Sequence, residues 1–167
     1  MQSLLNPKYT SYETQSKLKK FSCVGEMSDY IFEEYKDKIA LIDNGIEYTY
    51  AELAKKVGAL RLAISELGIK VGDKVGVFYP NCADFVVASM AVTSYGAVVV
   101  ALPYHLDEKT LYGCSLKFQM SAIIYDSASA ERVALAHKLN PNLKAILSNE
   151  VKDGFAPANK VSSDAPC

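Results

Sequence analysis

Side chains able to do acid–base, nucleophilic or metal chemistry are sparse in this sequence. Two histidines occur, His105 and His137, and four cysteines stand at positions 23, 82, 114 and 167. No C-x-x-C pair is present, which excludes a zinc knuckle and a dithiol redox motif. The histidines are too few and too separated to imply a metal cluster. The phosphate-cradling patterns G-x-x-x-x-G-K-[ST] and G-x-G-x-x-G are missing, as are G-x-S-x-G and H-E-x-x-H. No residue is therefore assigned a catalytic, cofactor-binding or metal-binding role.

What remains is ligand contact from loops. Three residues stand out by position: Asn81, Tyr104 and His105. Asn81 follows an expected strand over 74–79, and Tyr104 and His105 follow another over 97–102. Both places lie at the carboxyl ends of strands, the edge where open α/β sheets bind ligands. One reading has the two loops lining a shared crevice; the plainer reading, which the residues favour, makes His105 an ordinary loop histidine. Cys82 at a helix start would have an acidified thiol, because the helix dipole favours the anion. No histidine is spaced to partner it, and an inert thiol is the commoner case. His137 falls in an amphipathic helix and is expected to be solvated.

The elements that position these residues follow from local rules. A short helix is expected over 26–36, where Met27, Ile31 and Tyr35 recur on one face. In IALIDNGIEYTY (39–50), Asn44-Gly45 between two apolar runs signals a tight hairpin turn, since both residues accept positive φ. Thr49 and Glu52 form a capping box. An apolar stripe of Leu53, Val57, Leu60, Ile64 and Leu67 follows, and Gly68 stops that helix. After the strand over 74–79, Asn81 is the expected cap of a helix running to Tyr95, which is apolar almost all round. The run AVVVAL at 97–102 reads as a strand buried on both faces of a parallel sheet. A helix over 107–116, a strand over 122–125, a helix capped by Ser127 or Ser129, and a strand over 143–147 complete the series. The glycines at 68, 72 and 76 read as turn glycines.

Strand and helix thus alternate through three βαβ units with right-handed crossovers. The expected fold is α/β: an open, mainly parallel sheet with helices on both faces, plus an N-terminal β-hairpin. Residues 1–22 read as a polar arm, 23–147 as the α/β body and 148–167 as a loop or linker. The chain has 167 residues, 50% hydrophobic and 22% charged, with net charge −1. That balance excludes a disordered chain and gives no basic footprint for nucleic acid. The longest apolar run is far below the ~20 residues of a membrane helix, and no signal-peptide core precedes the body. No transmembrane segment and a cytoplasmic, reducing location are expected.

Five segments, in order, carry a family resemblance: DKIAL at 37–41, YTYAEL at 48–53, GIKVGDKV at 68–75 leading to Pro80-Asn81, GAVVVALP at 96–103, and AIIYD at 122–126. Together they resemble the N-terminal part of the acyl-adenylate-forming (AMP-binding) enzymes, which include acyl-CoA synthetases, peptide-synthetase adenylation domains and luciferases. The resemblance departs at Ala101, where the family commonly has proline, and at Tyr104-His105 after Pro103. The family's Ser/Thr/Gly-rich phosphate loop, ribose-binding aspartate and catalytic lysine match no position here.

The resemblance implies an N-terminal fragment of an ATP-dependent acyl-CoA synthetase, a ligase of fatty acid metabolism. The full-length enzyme would use ATP, Mg²⁺ and CoA. Its partners would be a carboxylic acid substrate, most often a fatty acid, and for this chain the remainder of its own polypeptide. The chain alone is expected to be inactive. Within the family, a peptide-synthetase adenylation domain or a D-alanyl-carrier ligase is the alternative. Outside it stand a non-catalytic α/β binding or interaction module and an unrelated flavodoxin-like domain.

Overall fold

A computed structural model describes residues 16–147 with the exception of Leu18. Most of the expected arm and all of the expected linker, 148–167, lie outside the described residues.

Helix α1 (Val24–Glu34) starts two residues ahead of the expected span and is capped by Cys23, whose Sγ accepts the Glu26 N–H at 3.5 Å. Strands β1 (Ile39–Asp43) and β2 (Ile46–Thr49) pair antiparallel. Asn44 and Gly45 turn between them with φ of 49° and 80°, the left-handed geometry that matches strand twist. Helix α2 (Tyr50–Glu66) begins at the expected capping box. Thr49 Oγ1 accepts the Glu52 N–H at 3.2 Å, and Glu52 Oε2 accepts the Thr49 N–H at 2.8 Å.

Four parallel strands follow: β3 (Lys74–Phe78), β4 (Val98–Ala101), β5 (Met120–Tyr125) and β6 (Lys144–Leu147), in the order β4-β3-β5-β6. Helices α3 (Ala83–Tyr95), α4 (Glu108–Lys117) and α5 (Ala130–Leu139) connect them, the last after a 3₁₀ turn at Ser127–Ser129. The chain steps outward from β3 to β4, then doubles back past β3 to β5. Helices therefore fall on opposite faces. One core packs α1, α2 and α3 on Val75, Val77, Ala122 and Ile124; the other packs α4 and α5 on Phe78, Ile123 and Met120. The expected α/β architecture is the one observed.

Three local readings change. The 97–102 run is not buried throughout: β4 is an edge strand, with Val98 48% exposed. Val99 and Val100 still pack onto the two cores, so the run reports helices on both faces but not the missing lateral neighbour. Gly76 is no turn residue. It sits within β3, where an added Cβ would lie 3.0 Å from Met120 Sδ and 3.1 Å from Leu102 Cδ1. Last, Ser129 makes no capping bond for α5; Asp126 closes this start, its Oδ1 accepting the Ser129 N–H at 2.9 Å.

Three carboxyls at helix starts are held below the usual carboxylate range. The backbone N–H of Thr49 does this for Glu52, that of Ser22 for Glu26, and that of Thr110 for Asp107, each aided by the same residue's hydroxyl. A carboxyl with a lowered folded pKa adds stability above its unfolded pKa and loses it as pH falls through the folded value. The urea midpoint should therefore be level from about pH 7 to 5 and decline below about pH 4. Glu52→Gln, titrated in parallel, should show a shallower decline; an identical profile would exclude Glu52 as a contributor.

Candidate functional site at the carboxyl edge of the sheet

Where a doubly wound chain reverses direction, loops from neighbouring strands part and leave a crevice. Here the reversal falls between β3 and β5. Three loops gather at this edge, after β3, β4 and β5. Tyr79, buried at the end of β3, donates its hydroxyl to the Tyr125 carbonyl at 3.0 Å and so ties the two sides of the switch point.

The loop after β3 presents Pro80 and Asn81, both exposed. Asn81 does not cap α3, contrary to expectation: Cys82 occupies the N-cap and makes no side-chain bond. The cap comes from the hairpin instead. Asp43 Oδ2 accepts the Ala83 N–H at 2.8 Å. Asp84 adds a second carboxylate in the first turn, 3.5 Å from Lys56 Nζ. A helix N-terminus offers N–H groups and a positive dipole end to anions. This one already holds a carboxylate, so it offers little to a phosphate. Asp43→Ala should cost about 1–2 kcal/mol, as loss of a cap does. Asp43→Asn, which keeps an acceptor, should recover most of that in urea unfolding; equal loss in both variants would argue against the cap.

The loop after β4 is clasped to the loop after β5. Tyr104 Oη donates to Asp126 Oδ2 at 2.8 Å, and Asp126 Oδ1 also accepts from the Ser129 hydroxyl. The Arg132 guanidinium lies 4.8 Å from the Phe78 ring centroid and 4.9 Å from that of Tyr104. Its Nη1 donates to the carbonyls of Tyr104 at 2.6 Å and Leu106 at 3.2 Å. The cation thus holds two loop carbonyls through Nη1 while lying over two aromatic rings. Asp107 then caps α4 through the Thr110 N–H at 2.8 Å.

Of the expected loop residues, Tyr104 is fixed in this clasp. His105, beside it, is exposed, and among the described residues its ring has no hydrogen-bond partner. Among the described contacts, none joins Asn81 to Tyr104 or His105. His137 is exposed as expected, yet its Nδ1 lies 2.6 Å from the Leu143 carbonyl oxygen. A carbonyl only accepts, so Nδ1 carries the proton and the ring staples the end of α5 to the start of β6. Asp126, Ser129 and Arg132 were not singled out as parts of this edge; Ser129 was expected only as a helix cap. Asp126 had a local signal, an acidic residue closing a strand three positions before a serine. Arg132 had none, because its partners lie on other elements. Among the described residues no group of three His, Cys, Asp or Glu is placed to hold a metal ion.

The arrangement fixes the loops after β4 and β5 against each other at the carboxyl edge of the sheet. The family model described as AMP-binding enzyme matches residues 29–165. The chain is 28% identical over 131 residues to a medium/long-chain-fatty-acid–CoA/3-oxocholest-4-en-26-oate–CoA ligase of Mycobacterium marinum, covering 78% of this chain and 24% of that protein. It is also 28% identical over 134 residues to triostin synthetase I of Streptomyces triostinicus, covering 79% of this chain and 25% of that one. The chain thus spans about a quarter of the length of these relatives. Among solved structures, a benzoate CoA ligase from Burkholderia xenovorans LB400 superposes with a TM-score of 0.73 at 21% identity, covering 88% of this chain and 31% of that one. The fold is that of the N-terminal subdomain of adenylate-forming enzymes, and by the match over residues 29–165 the chain belongs to the AMP-binding enzyme family.

Proposed function

We propose that this chain is the N-terminal scaffold of an acyl-CoA synthetase. In the whole enzyme a carboxylate oxygen would attack the α-phosphorus of ATP and displace pyrophosphate. The thiol of CoA would then attack the carbonyl of the acyl-AMP, and AMP would leave. The observation that carries this reading is the match of most of the chain to a quarter of a fatty-acid–CoA ligase. The geometry here supports a scaffolding role. The α3 N-terminus is filled by Asp43, and the loop after β4 is locked by Arg132 and Asp126. In this reading ATP, Mg²⁺ and CoA are held mainly by residues outside this chain, and Asn81 and His105 face the acid-binding side at the exposed sheet edge. Residues 23–147 are the subdomain body, and 148–167 lead to the remainder. The exposed Ile39, Ile42 and Ile46 of the hairpin support an interface with that remainder. Among the described residues no helix is long and apolar enough to cross a membrane, and the proposed location is the cytoplasm.

The test is ATP–pyrophosphate exchange with a panel of carboxylic acids, alongside calorimetric titration with ATP. The 167-residue chain should show no exchange and bind ATP no more tightly than millimolar. An antibody to the chain should detect a much larger protein in source cells. Micromolar ATP affinity of the chain would overturn the scaffold reading. A native band at 18.3 kDa would replace it with a stand-alone binding module.

A further inference from the structure

Asn44 is the only asparagine in the sequence that is followed by glycine. The structure places this pair at the exposed tip of the β1–β2 hairpin. Two features leave the pair free to react within itself. Gly45 has no side chain, and a Cβ placed there would meet nothing within 4 Å. The β1–β2 ladder closes at Asp43 and Ile46, and among the described residues the Gly45 N–H makes no backbone hydrogen bond. The peptide between Asn44 and Gly45 can therefore rotate without breaking the bond of that N–H. Other described asparagines lack these features. Asn81 precedes the side chain of Cys82, and Asn140 precedes a proline, which has no N–H. Asn142 precedes Leu143, which is buried and donates its N–H to the Asn140 carbonyl at 3.0 Å.

Asp43 carries the consequence beyond the turn. Its Oδ1 accepts from Asn44 Nδ2 at 3.1 Å, while its Oδ2 holds the Ala83 N–H at the start of α3. We propose that Asn44 is a self-modification site, whose conversion to aspartate or isoaspartate releases the start of α3 from the hairpin. The Gly45 nitrogen gives its proton to solvent and bonds to Asn44 Cγ. The bond from Cγ to Nδ2 breaks, and Nδ2 leaves as ammonia with a proton taken from water. Water then opens the resulting succinimide. Cleavage between nitrogen and Cγ gives aspartate; cleavage between nitrogen and the main-chain carbonyl carbon gives isoaspartate. Water is the one co-reactant, and nothing is oxidised or reduced. Both products replace the Nδ2 donor beside Asp43 Oδ1 with a carboxylate, a like charge. Isoaspartate also routes the main chain through Cβ and so lengthens a tight turn. Each change draws Asp43 away from Ala83. The proposal stands independently of the ligase reading.

The experiment incubates the full chain in mildly alkaline buffer and samples it over time. Peptide mapping by mass spectrometry should find Asn44 converted before Asn81 and Asn142. An isoaspartate-specific carboxyl methyltransferase should methylate the product. In the isoaspartate form, separated by ion exchange, the Ala83 amide should exchange about five-fold faster than in fresh protein, the effect of losing one helix cap. Asn44→Gly keeps a turn residue that accepts positive φ and has no side-chain amide. Its urea midpoint before incubation checks that it folds, and incubation should leave its Ala83 exchange unchanged. Asn44 still intact once Asn81 or Asn142 has converted would mean that the hairpin holds the turn too rigidly for ring closure, and would overturn the proposal. So would equal Ala83 exchange in the fresh and isoaspartate forms, or the same quickening in incubated Asn44→Gly.

Discussion

Replacing Asp29 with alanine should destabilise the chain by about 3 kcal/mol, the lower end of what breaking a buried ion pair costs. Asp29 Oδ1 accepts from Arg61 Nη1 at 2.6 Å, and Arg61 Nε donates to Ser94 Oγ at 2.7 Å. The pair joins α1 to α2, and the serine joins both to α3. Its two ends are unequal: the Arg61 side chain is 1% exposed and that of Asp29 24%. Arg61 Nη2 is buried with no partner among the described residues, so the guanidinium is already incompletely satisfied. Removing Asp29 strands a cation in the core. Removing Arg61 leaves a carboxylate that can turn to water. Arg61→Met should therefore cost clearly less than Asp29→Ala. Adding Arg61→Met to Asp29→Ala should recover part of the loss, because an apolar side chain needs no counter-ion. Urea unfolding followed by far-UV circular dichroism measures all three variants. Equal costs for the two single variants would mean that the pair is not buried as described.

The second large effect is expected at Phe78. Its side chain is fully buried at the end of β3, between the second core and the loop after β4. Phe78→Ala should cost about 3–5 kcal/mol through lost burial and the cavity left behind. A smaller part of that cost is specific to the sheet edge. The ring stacks at 5.5 Å from Tyr104 and carries the Arg132 guanidinium. Phe78→Leu keeps most of the apolar volume but loses the aromatic face. A double-mutant cycle of Phe78→Leu with Arg132→Met should then show coupling of about 0.5–1 kcal/mol or more. Amide exchange of residues 103–107 should quicken in Arg132→Met. Zero coupling with unchanged exchange would mean that the clasp does not hold the loop.

Much of the fold was legible because its signals are local. Asn44-Gly45 accepts positive φ, and Thr49 and Glu52 are three residues apart, so the hairpin and the start of α2 need no knowledge of the rest of the chain. The alternation of apolar strands and helices named the α/β class, and the ordered segments from DKIAL to AIIYD pointed to the family. The candidate edge was legible as a place. Loops after strands carry Asn81, Tyr104 and His105, and the structure puts them at the carboxyl edge. How that edge is held together was not legible. Asn81 was expected to cap α3 because it is the nearest capping residue in sequence. The carboxylate that does so, Asp43, is 40 positions away and arrives only when the hairpin packs against that helix end.

By itself, then, the sequence determined the kinds of element, their order and the family. Those depend on interactions within about four residues along a helix and two along a strand. Tertiary structure alone decided that β4 is an edge, that Gly76 yields its space to Met120 and Leu102, that Arg61 lies buried against Asp29, and that Arg132 closes on Tyr104. The physical reason is the same in each case. A side chain's partner across the fold depends on which surfaces meet once the sheet has its order, and no periodicity along one segment encodes that order.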